Sequence, residues 1–150
     1  MSANRAIVLI AGLFLFPLGA MANDCHITVE SDDQMNFDSE EIVIDQSCEE
    51  IELTLKHVGD LGVDTMGHNI VFTRAEDLES LAQDAMQASE DDYVPAGDDR
   101  VVAATNLIGG GETTTLTLDP SLFDGDERYA FFCSFPGHWG AMQGEVRLVN

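Results

Sequence analysis

Basic residues are scarce in this chain. Lys and Arg together number 6 among 150 residues, against 28 Asp and Glu, and Lys56 is the only lysine. So few positive side chains cannot neutralise a phosphate backbone, which excludes the usual mode of nucleic-acid binding. The acids occur in every segment, for example at Asp32-Asp33, Glu40-Glu41 and Asp98-Asp99. This spread favours a generally solvated acidic surface suited to high salt, and the alternative is one acidic docking face for a basic partner.

Long apolar runs are also missing. The most apolar stretch, Ala6 to Leu18, has 13 residues, whereas a membrane-spanning helix needs about 20. Arg5 precedes this stretch, and Ala20-Met21-Ala22 follows it with the small-residue pattern of a cleavage site. We therefore expect residues 1–22 to be a secretory signal peptide and residues 23–150 to form one domain; an uncleaved anchor is the alternative. Loss of Arg5 would leave five basic residues against 28 acidic ones, a formal charge of −23.

Cysteines are few and odd in number, which leaves one thiol over in a secreted chain. Cys25 and Cys48 flank the first expected strands, whereas Cys133 lies far away among aromatic residues. The simplest pairing therefore joins Cys25 to Cys48, and it would stabilise the fold by roughly 3 kcal/mol. The alternative is a disulfide from Cys133 to another chain.

Helical periodicity is confined to one segment, between Ala75 and Ser89. Apolar residues recur there at helical spacing; they are Leu78, Leu81, Ala82, Ala85 and Met86. We expect one amphipathic helix packed outside the sheets, with Thr73 and Glu76 as a capping box and Met86 in the core.

The rest of the chain alternates as short strands separated by turns. Eight such segments are expected: His26 to Glu30, Ile42 to Ile44, Ile51 to Leu55, Asn69 to Thr73, Val101 to Thr105, Thr113 to Leu118, Tyr129 to Cys133 and Glu145 to Val149. They predict an all-β Greek-key sandwich or barrel with one short external α-helix.

Soft metal donors cluster late in the chain. Cys133, His138 and Met142 lie within ten residues, and His68 supplies a second imidazole upstream. Two histidines and one cysteine with a distant methionine describe a trigonal copper site with a weak axial ligand. Zinc would bind the same imidazoles and thiolate, so a non-redox copper or zinc storage site is the alternative. A nucleophilic Cys133–His138 pair would leave His68 and Met142 without a role.

These motifs resemble the azurins, a branch of the cupredoxins, and the resemblance covers nearly all of the expected mature chain. Four residues separate Cys133 from His138 and three separate His138 from Met142, intervals that distinguish this branch from other small blue-copper families. The other matching motifs are the Cys25 and Cys48 pair, Asp33-Gln34-Met35, Met66-Gly67-His68-Asn69, Leu107-Ile108-Gly109 and Phe131 to His138.

The resemblance implies an electron carrier, not an enzyme, that cycles one type 1 copper between Cu(I) and Cu(II). His68, Cys133 and His138 would be the equatorial ligands. Met142 would be the weak axial ligand, and the Gly67 backbone carbonyl would approach from the opposite side.

The resemblance also implies what surrounds the ligands. Asn69 would tie the two ligand loops together, and its amide and that of Phe135 would donate to the Cys133 sulfur. Met35 and Phe135 would belong to the apolar surround. His57 would lie beside the site, either as a titrating group or as a structural histidine.

The resemblance further implies a docking surface. The edge of His138 would meet redox proteins such as a c-type cytochrome or a periplasmic reductase or oxidase. Trp139 would either enlarge this apolar patch or cover the loop. We expect a periplasmic monomer that binds no nucleic acid and does not insert stably into a membrane.

Overall fold

Strand β3 (Ile51–His57) shows how the alternating sequence builds the core. A computed structural model describes residues 25–150, and in β3 the side chains of Ile51, Leu53 and Leu55 are fully buried while the residues between them are not. β3 pairs in parallel with β1 (His26–Ser31) and antiparallel with β6 (Thr113–Leu118), which makes a three-stranded sheet.

The other strands form a five-stranded sheet of order β2-β8-β7-β4-β5. Its strands are β2 (Glu41–Asp45), β4 (Val71–Arg74), β5 (Ala103–Ala104), β7 (Tyr129–Phe132) and β8 (Gln143–Val149). β2 and β8 are parallel, and the remaining neighbours are antiparallel. The two sheets enclose one core, so the predicted β-sandwich is confirmed.

The core between the sheets is filled by branched aliphatic side chains and by aromatic rings. The Phe72 ring lies between two others there, with its centroid 5.6 Å from that of Phe123 and 6.5 Å from that of Phe131. Fully burying a side chain of this size contributes about 1.5–3 kcal/mol. The core therefore supplies a rigid base from which the loops at one end of the sandwich extend.

Helix α2 (Leu78–Ala85) covers the outer face of the five-stranded sheet. Leu81 and Ala82 of the helix pack against Val71 of β4 and Phe132 of β7. This confirms the predicted external helix and explains why β4 and β7 are buried on both faces. Arg100 holds the helix in place, since its guanidinium pairs with Asp84 and Asp98.

Two details of the predicted helix are wrong. Thr73 does not cap it, because Thr73 lies in β4 opposite Ala130; Asp77 is the N-cap and makes no side-chain capping bond. Met86 does not enter the core, because the helix ends at Ala85 and Met86 remains 39% exposed.

The disulfide joins Cys25 to Cys48 across 23 residues of chain, as expected, and Cys133 is a free buried thiol. The expected signal peptide and its boundary at residue 23 lie outside the described residues. Within residues 25–150, no helix is long and apolar enough to cross a bilayer.

Candidate metal centre

The upstream ligand loop begins with a one-turn helix, α1 (Val63–Met66), which no periodic pattern in the sequence predicts. The Gly62 carbonyl accepts the amides of Thr65 and Met66, both at 2.9 Å. His68 then exchanges two backbone hydrogen bonds with Ile108, each 2.9 Å long. His68 is consequently held by backbone pairing on the strand side and by a helical turn on the other.

The downstream loop leaves β7 and brings three predicted ligands together. Gly137, preceded by proline, has φ +83°, and the amide of His138 donates to the Phe135 carbonyl at 3.0 Å. This is the pattern of a type II turn, which requires glycine at its third position. The Met142 amide then donates to the His138 carbonyl, and the Cys133 amide to the Met142 carbonyl, both at 2.9 Å. The loop thereby closes on itself.

The side chains of His68, Cys133 and His138 converge between the two loops. The Cys133 Sγ lies 3.8 Å from His68 Nδ1 and 3.7 Å from His138 Nδ1, and the three donor atoms all lie within 4.8 Å of one another. The Gly67 carbonyl oxygen is 3.8 Å from the same sulfur. Met142 is fully buried in the same loop.

Both histidines direct Nδ1 towards the Cys133 sulfur. His68 Nε2–H donates to the Asp32 carbonyl at 2.7 Å, so its Nδ1 carries the free lone pair. Burial lowers the pKa of His68 and lowers that of His138 to about 4. Both imidazoles are therefore uncharged at neutral pH, which is the form that binds a metal.

Cys133 is fully buried, and burial raises the pKa of its thiol to about 11. Hydrogen bonds from the backbone amides of Asn69 and Phe135 oppose this rise. Amides aimed at the sulfur stabilise the thiolate, whereas the apolar surround destabilises it. A cation is what would tip the balance towards the thiolate.

Asn69 joins the two ligand loops through Ser134. Its Nδ2 donates to Ser134 Oγ at 2.8 Å, and its Oδ1 accepts the Ser134 amide at 2.9 Å. Both residues are buried. The cross-link fixes the distance between the residue after His68 and the residue after Cys133.

Aromatic rings close the space around the donors. The Phe135 ring lies 4.8 Å from the His138 ring and 5.3 Å from Tyr93, measured between centroids. A Cβ on Gly67 would come within 2.9 Å of the Phe135 ring, so glycine is required where the carbonyl approaches the sulfur. Tyr93 was not singled out by sequence reasoning, because it lies 40 residues before Cys133 in an irregular segment.

His57 is a buried residue with both ring nitrogens hydrogen-bonded. Nδ1 accepts the Gly59 amide at 3.0 Å, and Nε2–H donates to the Met66 carbonyl at 2.9 Å. Its ring stacks on His68 with centroids 4.4 Å apart. These contacts favour the structural interpretation of His57.

Two predicted peripheral residues differ in environment. Met35 is 38% exposed and has φ 58°, so its side chain is at the surface. Trp139 is half-buried and packs against the cluster beneath α2, so its buried part covers the loop while its exposed part can still enlarge an apolar patch. His138 is only 4% exposed.

The spacing of the three donors fits a trigonal metal site. Zinc, which binds the same donors, has bond lengths of about 2.0 Å to nitrogen and about 2.3 Å to sulfur, and at about 120° these would separate sulfur from each nitrogen by about 3.7 Å. The observed separations are 3.7 and 3.8 Å. Two imidazoles and a thiolate with a methionine in the same loop are the donors of a blue-copper site.

The comparison with known proteins agrees with this geometry. The family model for copper-binding proteins of the plastocyanin/azurin family matches residues 23–149. The chain belongs to this family. Together with the sandwich fold and the three donor residues, membership of the plastocyanin/azurin family identifies a small blue-copper electron-transfer protein.

Curated relatives match most or nearly all of the chain. Azurin from Achromobacter denitrificans is 46% identical over 149 residues, which are 99% of this chain and 97% of that protein. Azurin from Alcaligenes faecalis is 47% identical over 125 residues, covering 83% and 98% respectively. Outer membrane protein H.8 of Neisseria gonorrhoeae is 48% identical over 130 residues, covering 86% and 70%.

A solved structure of azurin Az-iso2 from Methylomonas sp. strain J has a TM-score of 0.80 and 36% sequence identity. The match covers 84% of this chain and 98% of that one. The likeness therefore extends over the complete sandwich.

Proposed function

We propose that one type 1 copper ion is held by His68, Cys133 and His138, with Met142 and the Gly67 carbonyl as weak axial contacts. The observation that carries this proposal is the convergence of two Nδ1 atoms and one Sγ within 4.8 Å. The neutral state of both imidazoles and the amides aimed at the sulfur support it.

A bound copper ion would supply one-electron chemistry by alternating between Cu(II) and Cu(I). The residues of this chain would keep its surroundings unchanged during that alternation. His68 is tied to the Asp32 carbonyl, Cys133 receives two amides, and Asn69 bridges the loops. Ligands that cannot move need little reorganisation, which suits repeated electron transfer.

We propose that redox partners dock where His138 approaches the surface, with Trp139 at the rim of the contact. Met35 (38%) and Leu61 (41%) are exposed apolar side chains on two segments that the Asp33 carboxylate joins, and we propose that they extend this surface. A c-type cytochrome or a periplasmic reductase or oxidase would fit a one-electron carrier of this kind. We further propose that residues 23–150 act as a periplasmic monomer without enzymatic activity after removal of residues 1–22.

The proposal is tested by redox titration of the copper-loaded protein and of the Cys133→Ser variant. The wild-type protein should accept and release one electron reversibly, whereas zinc-loaded protein and the variant loaded with copper should not. A wild-type protein that retains copper but shows no reversible one-electron step would favour the storage alternative.

The docking surface needs a separate comparison. Electron transfer between the copper protein and a c-type cytochrome should slow in Trp139→Ala but not in Leu122→Ala, which truncates an equally apolar side chain that is 48% exposed. Equal rates in both variants would remove Trp139 from the proposed docking surface.

A further inference from the structure

The turn formed by residues 32–36 reaches two other loops. The Asp32 side chain stabilises the turn by accepting the amides of Gln34 and Asn36 at 2.8 and 3.2 Å. The Asp32 backbone carbonyl accepts His68 Nε2–H. The next side chain, that of Asp33, points to a different segment, residues 57–61.

The Asp33 carboxylate binds two successive backbone amides in that segment. Oδ2 accepts the Asp60 amide at 2.8 Å, and Oδ1 accepts the Leu61 amide at 3.2 Å. These bonds span 27 and 28 residues of sequence. The amide of Asp60 is the main cause that lowers the Asp33 pKa, so the carboxylate is ionised at neutral pH. Bonds from amides to an ionised acceptor are stronger than neutral ones.

Gly59 makes room for this carboxylate. A Cβ at position 59 would come within 2.2 Å of Asp33 Oδ1, so any side chain there would push the carboxylate away. The contact therefore requires both glycine at position 59 and aspartate at position 33, and a substitution at either position would break it.

The segment that Asp33 binds, residues 59–61, is connected to the metal centre through His57. The Gly59 amide donates to His57 Nδ1, and His57 Nε2–H donates to the carbonyl of Met66, the residue before Gly67. The His57 ring also stacks on His68. Movement of residues 59–61 would consequently release His57 and, through it, the Met66–Gly67 backbone.

We infer that Asp33 is a positioning residue of the metal centre, whose carboxylate fixes residues 59–61 and thereby holds His57 against His68 and the backbone before Gly67. Asp33 Oδ1 also lies 3.8 Å from His57 Nε2, so the carboxylate faces His57 directly as well, although Asp33 contacts no proposed ligand. The inference rests on the ligand set proposed above, because only then do His68 and Gly67 contact the copper ion.

Two variants and two matched controls test this inference. Asp33→Asn removes the charge and one acceptor, while Gly59→Ala displaces the carboxylate without changing the charge. Asp45→Asn is the charge control, since the Asp45 carboxylate accepts hydrogen bonds from Ser47 at the end of β2, away from residues 57–61. Gly62→Ala is the glycine control, since a Cβ there meets nothing within 4 Å.

The first measurement is amide hydrogen exchange in the metal-free proteins. Asp33→Asn and Gly59→Ala should speed exchange at the Asp60 and Leu61 amides about tenfold or more. The Gly59 amide, which reports on the bond to His57, should exchange about threefold faster or more. Both controls should leave these rates unchanged.

The second measurement is the EPR spectrum of the Cu(II) proteins, which should change in both variants and in neither control. Faster exchange confined to the Asp60 and Leu61 amides, with an unchanged EPR spectrum, would overturn the inference, since Asp33 would then stabilise only its own loop. Unchanged exchange in both variants would overturn it as well.

The two measurements distinguish a failure of this inference from a failure of the proposed function. A wild-type protein without a blue-copper signal would contradict the proposed function, while exchange in the metal-free protein would still decide whether Asp33 holds His57. If Asp33→Asn fails to fold, Gly59→Ala carries the same test.

Discussion

The two ligand loops of the metal centre are built in different ways. The downstream loop, residues 133–142, contributes Cys133, His138 and Met142 and is closed by its own backbone hydrogen bonds. The upstream loop, residues 63–69, contributes one side-chain donor, His68, and depends on distant segments. Asp32, His57 and Ile108 all contact it.

This difference assigns separate properties to the two loops. The downstream loop carries the thiol that must lose a proton and the thioether that is weakly bound, so it should govern metal affinity and the potential. The upstream loop should govern how rigidly His68 is positioned relative to the other donors. Asn69 is where the two meet, through its hydrogen bonds to Ser134.

The largest expected effect is the pH dependence of metal binding, which belongs to the downstream loop. Burial raises the Cys133 pKa to about 11 and lowers the His138 pKa to about 4. Burial also lowers the His68 pKa, so between about pH 7 and pH 9 only the thiol must release a proton, and Zn²⁺ affinity should rise about tenfold per pH unit. Competition with a chelator measures this, and Cys133→Ser should lose the dependence. A pH-independent wild-type affinity would contradict the thiolate ligand.

Met142→Ala should separate stability from metal retention. Deleting this fully buried side chain should lower the free energy of unfolding of the metal-free protein by about 2–5 kcal/mol. The variant should nevertheless retain copper with a shifted reduction potential, because the three remaining donors are untouched. Met86→Ala, at a residue 39% exposed, is the control and should cost far less. Complete copper loss would refute a weak axial role.

Asn69→Ala should weaken the link between the two loops. It leaves the buried Ser134 amide without its acceptor, which should cost about 1–3 kcal/mol in urea unfolding of the metal-free protein. Asn36→Ala is the control, because Asn36 is exposed and hydrogen-bonds to Asp32 through its backbone. Equal stability of the two variants would mean that the loops are held together by something else.

Salt should produce the smallest effect, and it concerns the acidic surface and not the loops. Raising NaCl from about 0.05 M to about 0.5 M screens repulsion among the acids and should stabilise the protein by about 1 kcal/mol. Electron transfer to a c-type cytochrome should change little if the acidity is general. A rate that falls steeply with salt would instead indicate an acidic docking face.

The ligands of the downstream loop could be predicted from the sequence because they are close together in the chain. The strands could be predicted for a similar reason, since alternation such as that of Ile51, Leu53 and Leu55 is a local signal. The predicted capping box at Thr73 was wrong because Thr73 pairs with Ala130 in the sheet, and this tertiary pairing outweighed the local motif.

The upstream loop could be predicted only in part. His68 could be proposed as a ligand from its residue type. Its hydrogen-bond partner could not be predicted, because it is the backbone carbonyl of Asp32 and does not depend on residue type. The Asp33 contact spans 27 residues and α1 has only four. Neither produces a periodic pattern, so both required the tertiary structure.

The most direct test of the whole account is the visible absorption spectrum of wild-type protein loaded with one equivalent of Cu(II). Convergence of His68, Cys133 and His138 predicts an intense blue colour from charge transfer between the thiolate and copper. A copper-loaded protein that is colourless and EPR-silent would contradict the account.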